Sequence, residues 1–174
     1  KSNKKFKKSF DSISVLLSRY FAGLILQIFI LFIIYTILLL IIGTPNAIVI
    51  AFLCSLLNLI PFIGPFIGGI LMILLTMSSH ITQDFSTVIL AKAIYVAIGF
   101  AIGQVIDNFF SQPFIFSNSV RSHPLEIFIV IISGGLLFGA IGMIAAVPSY
   151  TALKVIGKEF LSENRIVKEL TKNL

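Results

Sequence analysis

Between Tyr20 and Tyr150 the sequence carries five charged side chains, Asp84, Lys92, Asp107, Arg121 and Glu126, together with two histidines, His80 and His123. Such groups are costly in an apolar medium, so few are kept there without a task. Asp107 closes the series Ala91, Tyr95, Gly99, Gly103, Asp107, whose members are four residues apart and so lie on one slowly turning helix face. A carboxylate ending such a face can bind a cation or take a proton in a path between helices. It can also be an interface-level acid held by backbone or by Arg121, although an acid at a helix C-terminus opposes the macrodipole. Gly99 and Gly103 form a small-xxx-small pair that admits a second helix closely. His123, Pro124 and Glu126 read as a helix start, with His123 as an imperfect cap, proline at the first helical position and Glu at the third. Arg121 can pair with Asp107 or Glu126, or meet an anionic headgroup. Asp107, Asn108, Arg121, His123 and Glu126 are therefore the candidate residues of a solute or ion pathway. Lys92 is expected to snorkel to the surface, and His80 and Asp84 are expected in a solvated loop.

These groups sit in a chain that water cannot cover. Of 174 residues, 57% are hydrophobic and 11% charged, with a mean hydropathy of +1.06; a water-soluble domain of this length needs more polar surface. Apolar runs over Phe21 to Ile42, Val88 to Ile106 and Leu125 to Val147 approach or exceed the roughly 20 residues that cross a bilayer core. The expected fold is an all-α membrane protein with polytopic transmembrane helices. A formal charge of +6 would suggest nucleic acid in a soluble protein. Here the basic residues gather at the two ends, as cytoplasmic flanks facing anionic lipid do, so the expected partner is the bilayer and not nucleic acid.

Three divisions follow. Residues 1–18, with Lys1, Lys4, Lys5, Lys7 and Lys8 interleaved with Phe6, Phe10, Ile13 and Leu17, form a basic amphipathic interfacial segment or a linker. Residues 19–148 form the transmembrane domain, and residues 149–174 a cytoplasmic amphipathic helix. Inside the domain the stretch "NLIPFIGPFIGGI" places Pro61, Gly64, Pro65, Gly68 and Gly69 in the middle of an apolar segment, giving two arms of about 14 residues, each short for a comfortable span. The arms either both cross, tilted, or form a re-entrant hairpin. The loop "SSHITQDFST" follows, with Ser86 or Thr87 available to cap the next helix. Pro113 and Pro124 bracket an irregular connection. In the last apolar segment the adjacent Gly134 and Gly135 invite a break into two half-helices. Charge supports that break: a basic N-terminus, Arg121 and a basic C-terminus all stay cytoplasmic only if this segment turns back on itself near Gly134 and Gly135. Two broken hairpins entered from opposite sides are an arrangement that secondary transporters use.

Enzyme signatures such as HExxH, GxSxG, a Walker loop or a dinucleotide fingerprint do not occur. Two distant histidines and a single cysteine, Cys54, make no metal site, and neither cofactor nor metal is expected. The two functional classes that fit are a transporter, with an uncoupled channel beside it, and a membrane scaffold whose glycine faces serve only packing.

In three blocks the chain resembles the autoinducer-2 exporter family of bacterial and archaeal membrane proteins: "PFIGPFIGG" at Pro61 to Gly69, "DNFFSQP" at Asp107 to Pro113, and "HPLE" at His123 to Glu126 followed by a glycine-rich helix. It departs from the family pattern at Phe62, where Tyr is usual, and at Ser122, where Leu commonly precedes His-Pro; the glycine common between Pro113 and that pair is absent. The resemblance implies export of a small polar solute such as autoinducer-2, or sodium-proton exchange, in the bacterial plasma membrane. It also implies a homo-oligomer, and an upstream half of the same protein of which this chain would be the C-terminal half.

Overall fold

The computed structural model describes residues 2–111 and 123–160. Arg121 and Pro113, named above, lie outside the described residues, as do 161–174. Every regular element among the described residues is helical. A chain this apolar in lipid must satisfy each N–H and C=O within itself, and helices do so segment by segment.

The chain divides into two compact units, Leu24–Gln112 and Lys1–Gly23 with Pro113–Leu174. Helix α1 (Ser2–Ile42) is one unbroken run of 41 residues, about 60 Å at the helical rise. No helix break therefore marks the expected boundary after residue 18. The part long and apolar enough to cross a membrane is Ile13–Ile42.

In the Leu24–Gln112 unit, α1 stops because Gly43 adopts φ 72°, a value only glycine reaches at little cost. Gly43 N–H then reaches Leu40 O at 3.0 Å and Thr44 N–H reaches Leu39 O at 2.9 Å, the two bonds of a Schellman ending. Helix α2 (Ala47–Leu57) and helix α3 (Ile63–Ser79) form the first hairpin. Its bend lies at residues 58–62, and Phe62 there takes φ 65°. Pro61 belongs to this bend. Gly64, Pro65, Gly68 and Gly69, expected as breakers, already lie within α3. Their glycines are contact points instead: a Cβ on Gly64 would strike Leu57 O, one on Gly68 would lie 3.2 Å from Cys54 O, and one on Gly69 2.7 Å from the Phe100 ring. Side chains Leu31, Tyr35, Leu39, Cys54, Met72 and Val96 join α1–α3 and the next helix in one core.

That helix, α4 (Leu90–Ile106), is entered through a π-turn at Phe85–Ile89 and left through another at Asp107–Ser111. Its cap is Asp84 rather than Ser86 or Thr87. Asp84 holds the extended φ/ψ of a cap residue and accepts the Thr87 N–H and the Thr87 hydroxyl, each at 2.8 Å. The bond from the Thr87 N–H, with that hydroxyl behind it, holds the Asp84 carboxyl below its usual range.

Two loop-end groups differ from expectation. His80 is 4% exposed because its ring is drawn onto the carbonyls of Thr76 and Gly43. Lys92 does not simply snorkel: its Nζ donates to Ile42 O at 2.8 Å and Gly43 O at 3.4 Å. The last carbonyls of a helix have no intrahelical partner and carry partial negative charge, which a cation satisfies.

In the other unit, helix α5 (Pro124–Phe160) is the second hairpin. The chain reverses at Gly139, whose φ 63° and ψ −147° are non-helical. Gly134 O would lie against a Cβ on Gly142, eight residues on, a contact a straight helix of that length, about 12 Å long, cannot make. The expectation of two half-helices holds, but the turn is at Gly139, not at Gly134 and Gly135. Those two face the returning arm: a Cβ on Gly134 would lie 2.6 Å from Gly142 O and one on Gly135 2.5 Å from Met143 Cε. They are small because the arms approach closely, while the turn falls where positive φ is needed.

Candidate functional site

Helices α1 and α4 run antiparallel with very close approach. A Cβ on Gly99 would strike Leu38, and one on Gly103 would lie 3.1 Å from the Tyr35 ring and 3.3 Å from Ile34. The small-xxx-small pair thus faces α1, and four residues after Gly103 the same face delivers Asp107. Its side chain is 1% exposed, and the Gln27 carboxamide of α1 donates to its Oδ2 at 2.7 Å. Gln27 itself is 6% exposed. Tyr95, in the same sequence series, stays on the exposed side, so the stripe turns out of the contact at its far end.

One turn before Asp107, Gln104 donates to the Tyr35 hydroxyl at 2.7 Å and to Asn58 Oδ1 at 3.2 Å. Asn58 in turn donates to Cys54 O at 2.9 Å, closing the end of α2. The bend of the first hairpin is therefore tied, through neutral amides and a phenol, to the stretch of α4 that carries Asp107. Tyr35 stacks on Phe100, with centroids 5.4 Å apart, which fixes the ring that presents this hydroxyl.

Gln27, Tyr35, Asn58 and Gln104 were not singled out from the sequence. A signal existed: Gln27, Leu31 and Tyr35 share one face at a spacing of four, and Gln104 stands three before Asp107. Asn108 follows Asp107 in the π-turn and is exposed.

In α5 the candidate residues serve the base of the hairpin. His123 stands just before the helix, its Nδ1 accepting the Leu125 N–H at 3.3 Å, and Pro124 is the first helical residue. Glu126 Oε2 accepts Lys154 Nζ and the Tyr150 hydroxyl, each at 3.1 Å. The Lys154 ammonium also lies 5.1 Å from the Tyr150 ring centroid. Glu126, which the sequence placed in a pathway with Arg121 as a possible partner, is here half of an ion pair that fastens one arm of the hairpin to the other. Above it the arms enclose an apolar groove of about 690 Å³ lined by Ser133, Leu137, Phe138, Ile141, Tyr150 and Leu153 among others.

The described chain thus has helical runs at Ile13–Ile42, Phe85–Phe109 and Leu125–Gly157 that are long and apolar enough to cross a membrane, the last folded at Gly139. With two further apolar helices in a hairpin and polar groups paired between helices, it is a polytopic all-α membrane protein. The sequence profile described as AI-2E family transporter matches residues 1–162, and the chain belongs to that family. It is similar to "Putative transport protein YrrI" of Bacillus subtilis (strain 168), 32% identical over 145 residues, which cover 83% of this chain and 38% of that protein. It is also similar to "Putative transport protein YueF" of the same organism, 31% identical over 165 residues, covering 92% of this chain and 40% of that protein. The chain thus spans about two fifths of the length of these relatives. No solved structure matches it.

Proposed function

We propose that the chain is the membrane-embedded part of a secondary transporter that moves a small polar solute of the autoinducer-2 kind, with Asp107 carrying the coupling proton or ion. The observation that supports this reading is a carboxylate 1% exposed inside a helix contact, held by an amide donor from the facing helix at 2.7 Å. A group of this kind changes its interactions sharply on taking a proton or cation, because low surrounding polarity magnifies each charge. The bend of the first hairpin is tied through Asn58 and Gln104 to the turn before Asp107, and amide side chains of this kind can meet a polar solute without a full charge in lipid. On this reading the protein works in the bacterial plasma membrane, with its lysine-rich flanks cytoplasmic, as an oligomer and together with the rest of a longer polypeptide.

Sodium-proton exchange is the second reading. A carboxylate beside a carboxamide offers the oxygen ligands that a hard cation takes.

Transport by the full-length protein in proteoliposomes, comparing autoinducer-2 with sodium under an imposed pH gradient, tests both. Asp107→Asn is expected to abolish gradient-driven flux while the protein stays folded. Unchanged flux in that variant overturns the coupling role. Flux linear in concentration and indifferent to the gradient assigns a channel, and no flux of either solute assigns a scaffold.

A further inference from the structure

The geometry points to His80 as a proton-binding site at the end of the Leu24–Gln112 unit opposite Asp107, where uptake of one proton fastens α3 to the turn between α1 and α2. His80 is the cap of α3 and 4% exposed. Its Nδ1 lies 2.9 Å from Thr76 O and its Nε2 3.3 Å from Gly43 O. A neutral imidazole has one N–H and one lone pair, and a carbonyl oxygen only accepts. Either neutral tautomer therefore turns a lone pair onto one of the two oxygens, while the imidazolium donates to both. The site draws its proton from water onto the ring nitrogen, and no other bond is made or broken.

Position reinforces stoichiometry. Thr76 O belongs to the last turn of α3, and Gly43 O follows the last turn of α1, so two helix C-termini present partial negative charge to the same ring. The charged and titratable neighbours are few. Lys92 of α4 donates to Ile42 O and Gly43 O and, as a like charge, opposes protonation. Asp84 in the loop is exposed and engaged with Thr87. The helices packed here otherwise contribute Cys54 from α2 and Tyr95 from α4, and the last two turns of α1 and α3 contribute none. Loss of the proton from Nε2, the Nδ1–H being kept on the nearer Thr76 O, leaves Gly43 O to Lys92 and removes this tie between α3 and the α1–α2 turn.

Asp107 lies fifteen residues along α4 from Lys92, about 22 Å at the helical rise. His80 is thus a separate site, and its protonation does not depend on the role proposed for Asp107.

The test uses the full-length protein in lipid nanodiscs with native cysteines replaced by alanine. Thr44→Cys, beside Gly43, is labelled with a membrane-impermeant maleimide, and rates are corrected for thiolate fraction against a free-thiol standard. Labelling is expected to be several-fold slower at about pH 5.5 than at about pH 8.5, a range that brackets imidazole titration, and to lose this dependence in His80→Gln. A pH-independent rate with His80 intact, or the same dependence in His80→Gln, overturns the proposal. Ring ¹⁵N spectra of the protein with His80 intact, assigned through a ¹³C-labelled Thr76 carbonyl, decide the matter even if the variant misfolds. Two protonated nitrogens at the acidic end and one at the basic end support it; a neutral ring throughout refutes it.

Discussion

A carboxylate removed from water depends on the donors around it, and for Asp107 the donor from α1 is Gln27. Replacing Gln27 with leucine keeps the bulk and deletes the donor. An acceptor that loses a buried charge-assisted bond costs about 1–3 kcal/mol, so Gln27→Leu is expected to lower the unfolding free energy in detergent by that order, read as a lower unfolding temperature. The double variant Gln27→Leu with Asp107→Leu is expected to recover part of the loss, because the carboxylate that Gln27→Leu deprives of its α1 donor is then gone as well; purely additive losses refute the pairing. Asp84 gives a pH prediction of definite sign. Its carboxyl is held low by Thr87, so its capping contribution is complete above the ordinary carboxylate range and is lost as pH falls through the lowered native value. Asp84→Asn keeps a capping oxygen but no charge and is expected to flatten the acid limb of stability against pH. An unchanged limb contradicts this. Asp107 was legible in the sequence because a lone acid stands out in an apolar run. Gln27 was not, because a neutral amide gives no charge signal and its partner is eighty residues away.

At the scale of elements, the two hairpins use glycine for two different reasons, and the difference can be measured. Gly139 has nothing within 4 Å of where a Cβ would stand, but its φ of 63° with ψ of −147° lies in a region essentially closed to other residues. Gly139→Ala is therefore expected to cost about 1–3 kcal/mol through backbone strain alone. Gly142 is the reverse case: its φ is ordinary, but a Cβ would strike Gly134 O on the other arm. Gly142→Ala must push the arms apart, at a cost of about 1–3 kcal/mol, and is expected to weaken the Glu126–Lys154 pair below. Thermal unfolding separates the first effect from none, and crosslinking of cysteines placed at 130 and 149 reports the second; unchanged crosslinking in Gly142→Ala rejects the arm contact. The hairpins themselves were readable from apolar length and the positions of proline and glycine. Their bends were less so. The sequence shows where glycine occurs but not whether it is there for φ or for contact, so Gly134 and Gly135 drew attention that belonged to Gly139. In the same way "GPFIGG" read as a break, when all six of its residues lie inside α3 and three of them are glycines pressed on α2 or Phe100.

For the molecule as a whole, charge and topology make one joint prediction. Helix α1 is continuous from the lysine-rich N-terminal stretch to Ile42, and its crossing part is Ile13–Ile42, so the α1–α2 turn emerges on the side away from those lysines. His80, against Gly43 O, puts the loop before α4 on that same side. Lysine and arginine near membrane ends favour the cytoplasm, and on that rule Asp84 is predicted to lie outside. The second hairpin carries its own constraint: because α5 reverses at Gly139, with Glu126 and Lys154 paired 3.1 Å apart at its base, residues 123 and 157 share a side. Arg121 and Lys158 flank these positions in sequence, and the same rule predicts that side to be cytoplasmic. Single cysteines at 84, 123 and 157 in the full-length protein, probed in intact cells with an impermeant maleimide, are expected to label from outside only at 84; those at 123 and 157 require permeabilised membranes. Opposite behaviour of 123 and 157 refutes the hairpin outright. Both labelled from outside, with 84 protected, leaves the hairpin standing and inverts the orientation, so that the folded geometry and the charge rule are tested apart.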